Sequence, residues 1–506
     1  MPADERQRGE IGEFTDVCAG RRGDSPLVDQ LEKEQRMTST TATPDRALPM
    51  LEDRFSGDVI RRSDPRYGAA RTLWNAMADR RPALIVRPRT PQDVATAILV
   101  ARDSGLEIAV RCGGHSLPGH SMSEGGVTLD LSAMNAVSID PTTATARVGG
   151  GALLNDVGEA AAPHSLTMPF GHVSHTGVGG LTLGGGIGWV MRRYGLAIDS
   201  LRSAELVTAE GEIVCASEEE NPDLFWALRG GGGNFGVVTE FEFDLHPFGP
   251  EALAGIILHR LEDAAAALRF SRDFMETAPD ALTVFETFMT VPPEKSFPAD
   301  LQGRPALGLG IVYAGPVAEG ERVLRPLREF GRPALDAVGP MPAVAIQQML
   351  DPTAPHGMRN YNKAHWLEEL PDAAIDEQVR RHAQVPSPMS LIINGRMGGA
   401  VERVSREATA FGHRDAKRQV WVVSSWWEGD DDEQIAWCRG VFDAMTPFSS
   451  GGVYVNALGE EGAERVRAGY ADDIWLRLVA AKDRWDPDNV FHLNANIPPS
   501  KASIAQ

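Results

Sequence analysis

Residues 109–116 read AVRCGGHS: an apolar run closes on an arginine, two glycines bring the backbone in tightly, and an imidazole follows at once. What precedes the stretch sets its context. ALIVRP (83–88) is a short buried strand. TPQDVATAILVARDSG (90–105) is punctuated as a helix, with Thr90 as cap, Pro91 at the first helical position, Asp93 closing a capping box and Gly105 ending the run. Val94, Ile98 and Ala101 share one face of it. LEIAVR (106–111) is the next strand, so Cys112, Gly113, Gly114 and His115 form the loop that leaves a strand of a βαβ-like unit.

Working outward, VTLDLS (127–132), AVSIDP (136–141) and TATARVGGG (143–151) read as strands, and LLNDVGEAAAPHSL (153–166) as a short helix. Residues 171–201 are too rich in glycine for one helix or strand and too apolar for a linker; backbone held close against something flat or phosphorylated accounts for both. RSAELVTAEGEIVCAS (202–217) is a hairpin about Glu210-Gly211. NPDLFWALRG (221–230) is a helix capped by Asn221, and GGGGNFGVVTEFEFDL (230–245) runs a glycine loop into a strand. Beyond Pro250 glycine thins out. Residues 251–445 mix a long helix (261–278) with strands at 304–315, 388–399 and 419–429, as in an antiparallel sheet flanked by helices. The acidic run from Glu428 to Glu433 reads as a solvated turn.

The formal net charge of −21 repels phosphate backbones and anionic lipid, which argues against nucleic-acid and membrane partners. The four cysteines lack the short spacing of a zinc or redox pair. No run of about 18 apolar residues predicts a transmembrane helix. Residues 1–45 are polar, lack the apolar core of a secretory signal, and read as a disordered extension; a cytoplasmic location is the expectation. His172 and His175 stand three apart, but with no helix or third ligand there, no metal site is expected.

Gly231, Gly233 and Gly236 spell GxGxxG. A dinucleotide-binding turn leaves a strand and opens a helix, whereas this loop leaves a helix and enters a strand, so the Rossmann reading fails. The order of motifs is more telling: RCGGHS after a strand, then GVGG…GGGIG, then GGGGNFGVVT, then a closing LNANI. Together they resemble the FAD-linked oxidases of the vanillyl-alcohol oxidase/p-cresol methylhydroxylase superfamily, and within it the berberine bridge enzyme-like group, over about residues 80–500.

The resemblance implies an α+β fold: a PCMH-type FAD-binding domain of two α/β subdomains at 46–250, a substrate domain of antiparallel sheet flanked by helices at 251–445, and a segment at 446–500 returning to the first. It implies FAD bonded covalently through His115. The second attachment found in many relatives is a cysteine, and its position falls near Val173, so a single link is expected. Arg111, Cys112, Gly113, Gly114, Ser116, Gly177, Gly179, Gly180, Gly184, Gly188, Gly236, Val237, Val238, Asn494 and Asn496 are the implied cofactor-binding residues. Thr176 sits where relatives control oxygen access. Tyr454 and Glu428 are the implied acid–base groups; a tyrosine base needs its pKa depressed. Tyr361, Lys363 and Trp426 are the implied substrate contacts. The activity expected is oxidation of a hydroxylated or reduced small molecule, a sugar or secondary metabolite, by hydride transfer to flavin. Dioxygen would restore the cofactor and leave H2O2; the alternatives are a dehydrogenase with another acceptor and a flavin-binding protein without turnover.

Overall fold

Three larger sheets, with a two-stranded one of Leu166–Thr167 and His246–Pro247, organise residues 44–501, the part of the chain described by the computed structural model. The expected extension lies outside the described residues except at its end, where Pro44 and Asp45 already open a helix, Pro44–Arg54. The first sheet has four strands in the order Asp58–Arg61, Leu84–Arg87, Val127–Asp130, Ile108–Arg111, the last three parallel. The helix Pro91–Asp103 links Leu84–Arg87 to Ile108–Arg111, with Val127–Asp130 inserted between the two strands. Its capping box is formed: the Asp93 amide donates to Thr90 Oγ1 (3.1 Å) and the Thr90 amide to Asp93 Oδ2 (3.2 Å). Asp93 also accepts from the Ser56 amide and hydroxyl, fixing the helix start to the preceding loop.

The second sheet is antiparallel, in the order Val137–Asp140, Thr145–Gly149, Val237–Asp244, Leu201–Val207, Ile213–Ser217. The hairpin about Gly211 is present, and the GxGxxG loop leaves the helix Pro222–Leu228 to enter the strand Val237–Asp244, as the sequence requires. Asn221 departs from expectation. It takes a left-handed backbone and its side chain donates to the Cys215 carbonyl (2.7 Å), leaving Pro222 to start the helix uncapped.

The third sheet has eight strands, led by Glu251–Arg260, Leu282–Thr290, Pro305–Tyr313, Arg359–Leu367, Leu391–Arg396 and Arg418–Trp426, all paired antiparallel. Its two faces bury different sets, as the two-residue period of a strand demands. One face, with Val284, Leu309, Val420 and Val422, packs under the helices Leu261–Met275, Asp372–His382 and Asp431–Met445. The other, with Phe285, Ala364 and Trp366, packs on Ile187, Trp189 and Leu196 of the glycine-dense segment. The acidic run is solvent-exposed throughout, but only its first half, residues 428–430, forms a turn; the rest opens a helix. Asp430 caps the helix Asp431–Met445 by accepting from the Asp432 amide, and the acids behind it occupy the first turn, where the helix dipole favours negative charge.

The C-terminal segment is tied to the glycine loop by a fully buried ion pair. Lys482 Nζ donates to Asp486 Oδ2 (2.6 Å), to the Asn234 carbonyl (2.8 Å) and to the Phe491 carbonyl (3.1 Å), while Asp486 accepts from the Val490 and Phe491 amides. Both side chains are 0% exposed, a burial tolerable only because every charge is paired or hydrogen-bonded.

Candidate active site

The loop after Ile108–Arg111 lies against the one that opens the helix Val178–Leu183. A side chain on Gly113 would collide with the Gly177 amide, and one on Gly177 with Gly113 and Cys112, so both positions must be glycine for the loops to meet. Beside this contact is a cavity of about 340 Å³ lined by Arg87, Arg111, Cys112, Gly113, Asp130, Ser132, Asn135, Gly151, His175 and His356 among others. Two guanidinium groups, one hydroxyl (Ser132) and one side-chain amide (Asn135) offer donors to an anionic, phosphorylated ligand, while Asp130 and Asp156 bring two carboxylates to the same wall. Arg87 is held by Asp130 (2.8 Å), and Arg111 donates to the Ala70 carbonyl. Cys112 donates to the Ala152 carbonyl (3.4 Å), and burial pushes its thiol up to about 11, so it is a packing residue at the cavity wall.

His115 stands at the edge of this cavity between an indole and an imidazole. Trp74 stacks on it (4.8 Å between centroids, 14° between planes), and its Nε2 is 2.8 Å from His175 Nδ1. Burial, with the neighbouring His175 and His356, holds its pKa well below the ordinary value. It is therefore the neutral imidazole at neutral pH, the form that carries a nucleophilic lone pair. Because one ring nitrogen is engaged with His175, that contact selects the tautomer of the other.

The remaining cofactor candidates divide by what they touch. Gly179 and Gly180 are on the helix Val178–Leu183, and Gly180 is exposed with open space where its side chain would be. A side chain on Gly184 would strike Asn456, and one on Gly188 the Phe170 carbonyl, so the protein's own packing accounts for both glycines. Gly236, Val237 and Val238 are buried at the start of a central strand, and Gly114 takes a positive φ of 72°. Ser116 accepts from the His120 amide, and the Thr176 carbonyl accepts from the Leu154 amide. Asn494 donates to the Gly233 and Phe491 carbonyls, while the buried Oδ1 atoms of Asn494 and Asn496 have no partner among the described residues. Acceptors left open at this depth among the described residues fit a donor from a bound group.

Four expected substrate or acid–base residues lie elsewhere than the resemblance implied. Tyr361 pairs in register with Ser424, and Lys363 with Val422, on the face covered by helices. Tyr361 accepts from Arg439 Nε (3.0 Å), and Lys363 is paired with Glu461 (2.5 Å). Trp426 is 1% exposed and donates to Asp431 at the start of the covering helix. Glu428 is exposed beyond the end of its strand. Tyr454 is buried near the glycine-dense segment, but its hydroxyl accepts from the Gly186 amide (3.1 Å) and Asn456 Nδ2 (2.9 Å), and burial raises its pKa. That is the opposite of the shift a base needs; here the Tyr454 hydroxyl is the acceptor that holds the 184–188 turn.

On the face toward the glycine-dense segment, the alternate residues come forward. Trp189 and Phe285 meet edge to face (5.4 Å), and His172 packs edge-on against both (4.9 and 4.5 Å). Burial pushes His172 down to about 4, so it too is neutral. Trp421 and Ile393 join the same cluster. The Nε atoms of His172, Trp189 and Trp421 and the Oδ1 atom of Asn362 are buried without partners among the described residues. Sequence reading missed all of these, since only strand register separates Trp421 from Trp426 and Asn362 from Lys363.

A glycine cradle, a cavity walled in part by Arg87 and Arg111, and a histidine at its edge fit the expected FAD-linked oxidoreductase, and comparison with known proteins shows that class. An FAD-binding-domain model matches residues 82–217, and a berberine and berberine-like model matches residues 453–498. (R)-6-hydroxynicotine oxidase of Paenarthrobacter nicotinovorans is 32% identical over 467 residues, spanning 88% of this chain and 97% of that one. An FAD-linked oxidoreductase of Dictyostelium discoideum is 29% identical, over 88% of this chain and 95% of its own. Among solved structures, 6-hydroxy-D-nicotine oxidase of Arthrobacter nicotinovorans superposes with a TM-score of 0.79 at 29% identity, over 92% of this chain and all of that one. A berberine bridge enzyme variant gives 0.80 at 23% identity, over 90% and 100%. The chain belongs to the berberine bridge enzyme-like FAD-linked oxidoreductases of the vanillyl-alcohol oxidase/p-cresol methylhydroxylase superfamily, with their α+β fold. Among the described residues, no helix is long and apolar enough to cross a membrane.

Proposed function

We propose that this oxidoreductase carries FAD on a single covalent link at His115 and oxidises a small molecule with dioxygen as the final acceptor. The observation that carries the attachment is the pair of contacts on His115: a stacked indole fixes the ring plane, and His175 engages one nitrogen. Val173, at the position of the second link in relatives, offers no nucleophile. Gly113, Gly114, Gly177, Gly179 and Gly180 would give the cofactor close backbone approach, Arg111 an anion partner, and Asn494 and Asn496 their orphaned acceptors. When bound, the flavin supplies a two-electron acceptor for hydride. The chain's own residues have the tasks of binding, excluding water and orienting the substrate. Residues to about 250 serve the cofactor, and the sheet beyond serves the substrate.

The substrate face favours one class over the other. Trp189, Phe285 and Trp421, with neutral His172 edge-on against the first two, form a buried apolar cluster on this face whose chemistry suits flat rings, and a sugar would want many more polar partners than Asn362 and three ring nitrogens. We therefore place a hydroxylated or reduced aromatic or N-heterocyclic compound ahead of a saccharide; a similar protein is named for 6-hydroxynicotine. Thr176, small and beside the Val178–Leu183 helix, leaves room for dioxygen.

Acid precipitation tests the anchor: the pellet stays yellow and fluorescent in the wild type and loses colour in His115→Ala. Peroxide release with a panel of heterocyclic amines, phenols and sugars tests the rest. Dye reduction without peroxide would reassign the protein as a dehydrogenase, and flavin without turnover would leave a carrier.

A further inference from the structure

Three imidazoles meet at the cavity edge, each from a different loop. The ligating nitrogens of His115, His175 and His356 all lie within 4.8 Å of one another. Their rings stand 4.7–5.8 Å apart, and the His115–His175 contact is 2.8 Å. Nothing in the flavin chemistry calls for His356, which the sequence leaves isolated in TAPHG.

The three loops are braced to one another. The Trp74 amide donates to the Gly114 carbonyl (3.2 Å), Trp74 Nε1 to the Ala354 carbonyl (2.8 Å), and the Gly357 amide to the Trp74 carbonyl (3.1 Å). Ser174 donates its amide (2.8 Å) and hydroxyl (2.5 Å) to Asp351. One indole thus links the loops of His115 and His356, and one carboxylate links those of His175 and His356.

We propose that the flavin-free chain binds one divalent transition metal ion through His115, His175 and His356, and that the ion and the flavin compete for His115. The second half rests on the anchor assigned above; the first does not. An all-imidazole set suits Zn²⁺, Co²⁺, Ni²⁺ or Cu²⁺, and three protein ligands leave a fourth position to water. Ligand atoms around a tetrahedral zinc at about 2.05 Å sit about 3.3 Å apart. Reaching that spacing would need the ring of His356, the most exposed of the three, to turn inward and the 2.8 Å His115–His175 contact to open slightly. Arg111 near His356 opposes a cation, and Asp351 near His175 offsets it. The site would hold the loops together before the cofactor arrives and release its ion when His115 is taken.

The test uses the full chain expressed under riboflavin limitation, with Co²⁺ as the probe and flavin-loaded protein beside it. The expected result is one equivalent of Co²⁺ with the visible bands of a tetrahedral ion in flavin-free protein, lost in His356→Ala and His356→Gln, and at least tenfold weaker binding once flavin is attached. Zn²⁺ added before FAD slows covalent incorporation, and His356→Ala removes that inhibition. Absence of the bands overturns the proposal, as do bands that survive both His356 variants or a flavin-free chain that has lost its circular-dichroism signature. Bands of equal strength in flavin-loaded protein overturn the competition. Flavin retained covalently by His115→Ala refutes the anchor alone, and cobalt binding by the wild type then still decides the metal site.

Discussion

His115 Nε2 and His175 Nδ1 are 2.8 Å apart, and 60 residues of sequence separate them. The contact exists because Gly113 and Gly177 let two loops touch backbone to backbone. It would suit His175 to orient His115 and to take its proton during attachment. His175→Ala should keep FAD binding but cut the rate of covalent attachment by about tenfold or more, with His175→Gln restoring part of it. The check is the protein-bound fraction of flavin after acid precipitation, followed against time of incubation with FAD. Attachment at the wild-type rate in the alanine variant would show that the pair is incidental.

Gly113 and Gly180 make a matched comparison. Gly113→Ala drives a methyl into the Gly177 backbone and should abolish flavin binding with a clear loss of stability. Gly180→Ala meets nothing in the protein and lies within a helix, so it should stabilise the flavin-free chain by about 0.5–1 kcal/mol. If the cofactor lies against Gly180, the same variant loses FAD affinity. Thermal melts with and without FAD separate the two effects.

The substrate sheet predicts a divide between neighbours in sequence. Tyr361→Phe, which faces the helices, should leave kcat and KM within about twofold of wild type. Trp421→Ala and Asn362→Ala, from the other face, should raise KM by about tenfold, the cost of one lost ring contact or hydrogen bond. A larger effect from Tyr361→Phe than from Trp421→Ala would reverse the assignment of faces.

Lys482 and Asp486 offer a stability test remote from the chemistry. Lys482→Met leaves Asp486 charged and unpaired at 0% exposure, and should cost about 3–5 kcal/mol. Adding Asp486→Leu should recover part of that loss, as read by denaturant midpoints of the double-mutant cycle.

Acid should weaken the fold through buried histidines. Burial pushes His365 and His382 down to about 4, from an ordinary value of 6.5. The unfolded chain therefore takes up more protons than the folded one between those values. Stability is fully present above about pH 6.5 and falls as pH drops toward 4, by about 1.4 kcal/mol per pH unit for each histidine. His382→Phe should flatten that slope, and unfolding free energies measured from pH 7 to 4 give it directly.

The sequence by itself determined the local elements and the cofactor class. A capping box, a hairpin turn and glycines at contact points act over a few residues, and the motif order around AVRCGGHS carried the family. Strand register and loop convergence were decided only by the tertiary structure. Whether position 361 or 362 faces the glycine-dense segment depends on which strand lies alongside, because a shift of one residue turns every side chain to the other face. His356 reaches His115 only because Trp74 and Asp351 brace the intervening loops. Such contacts join residues hundreds apart, and their energies arise only once the chain has folded.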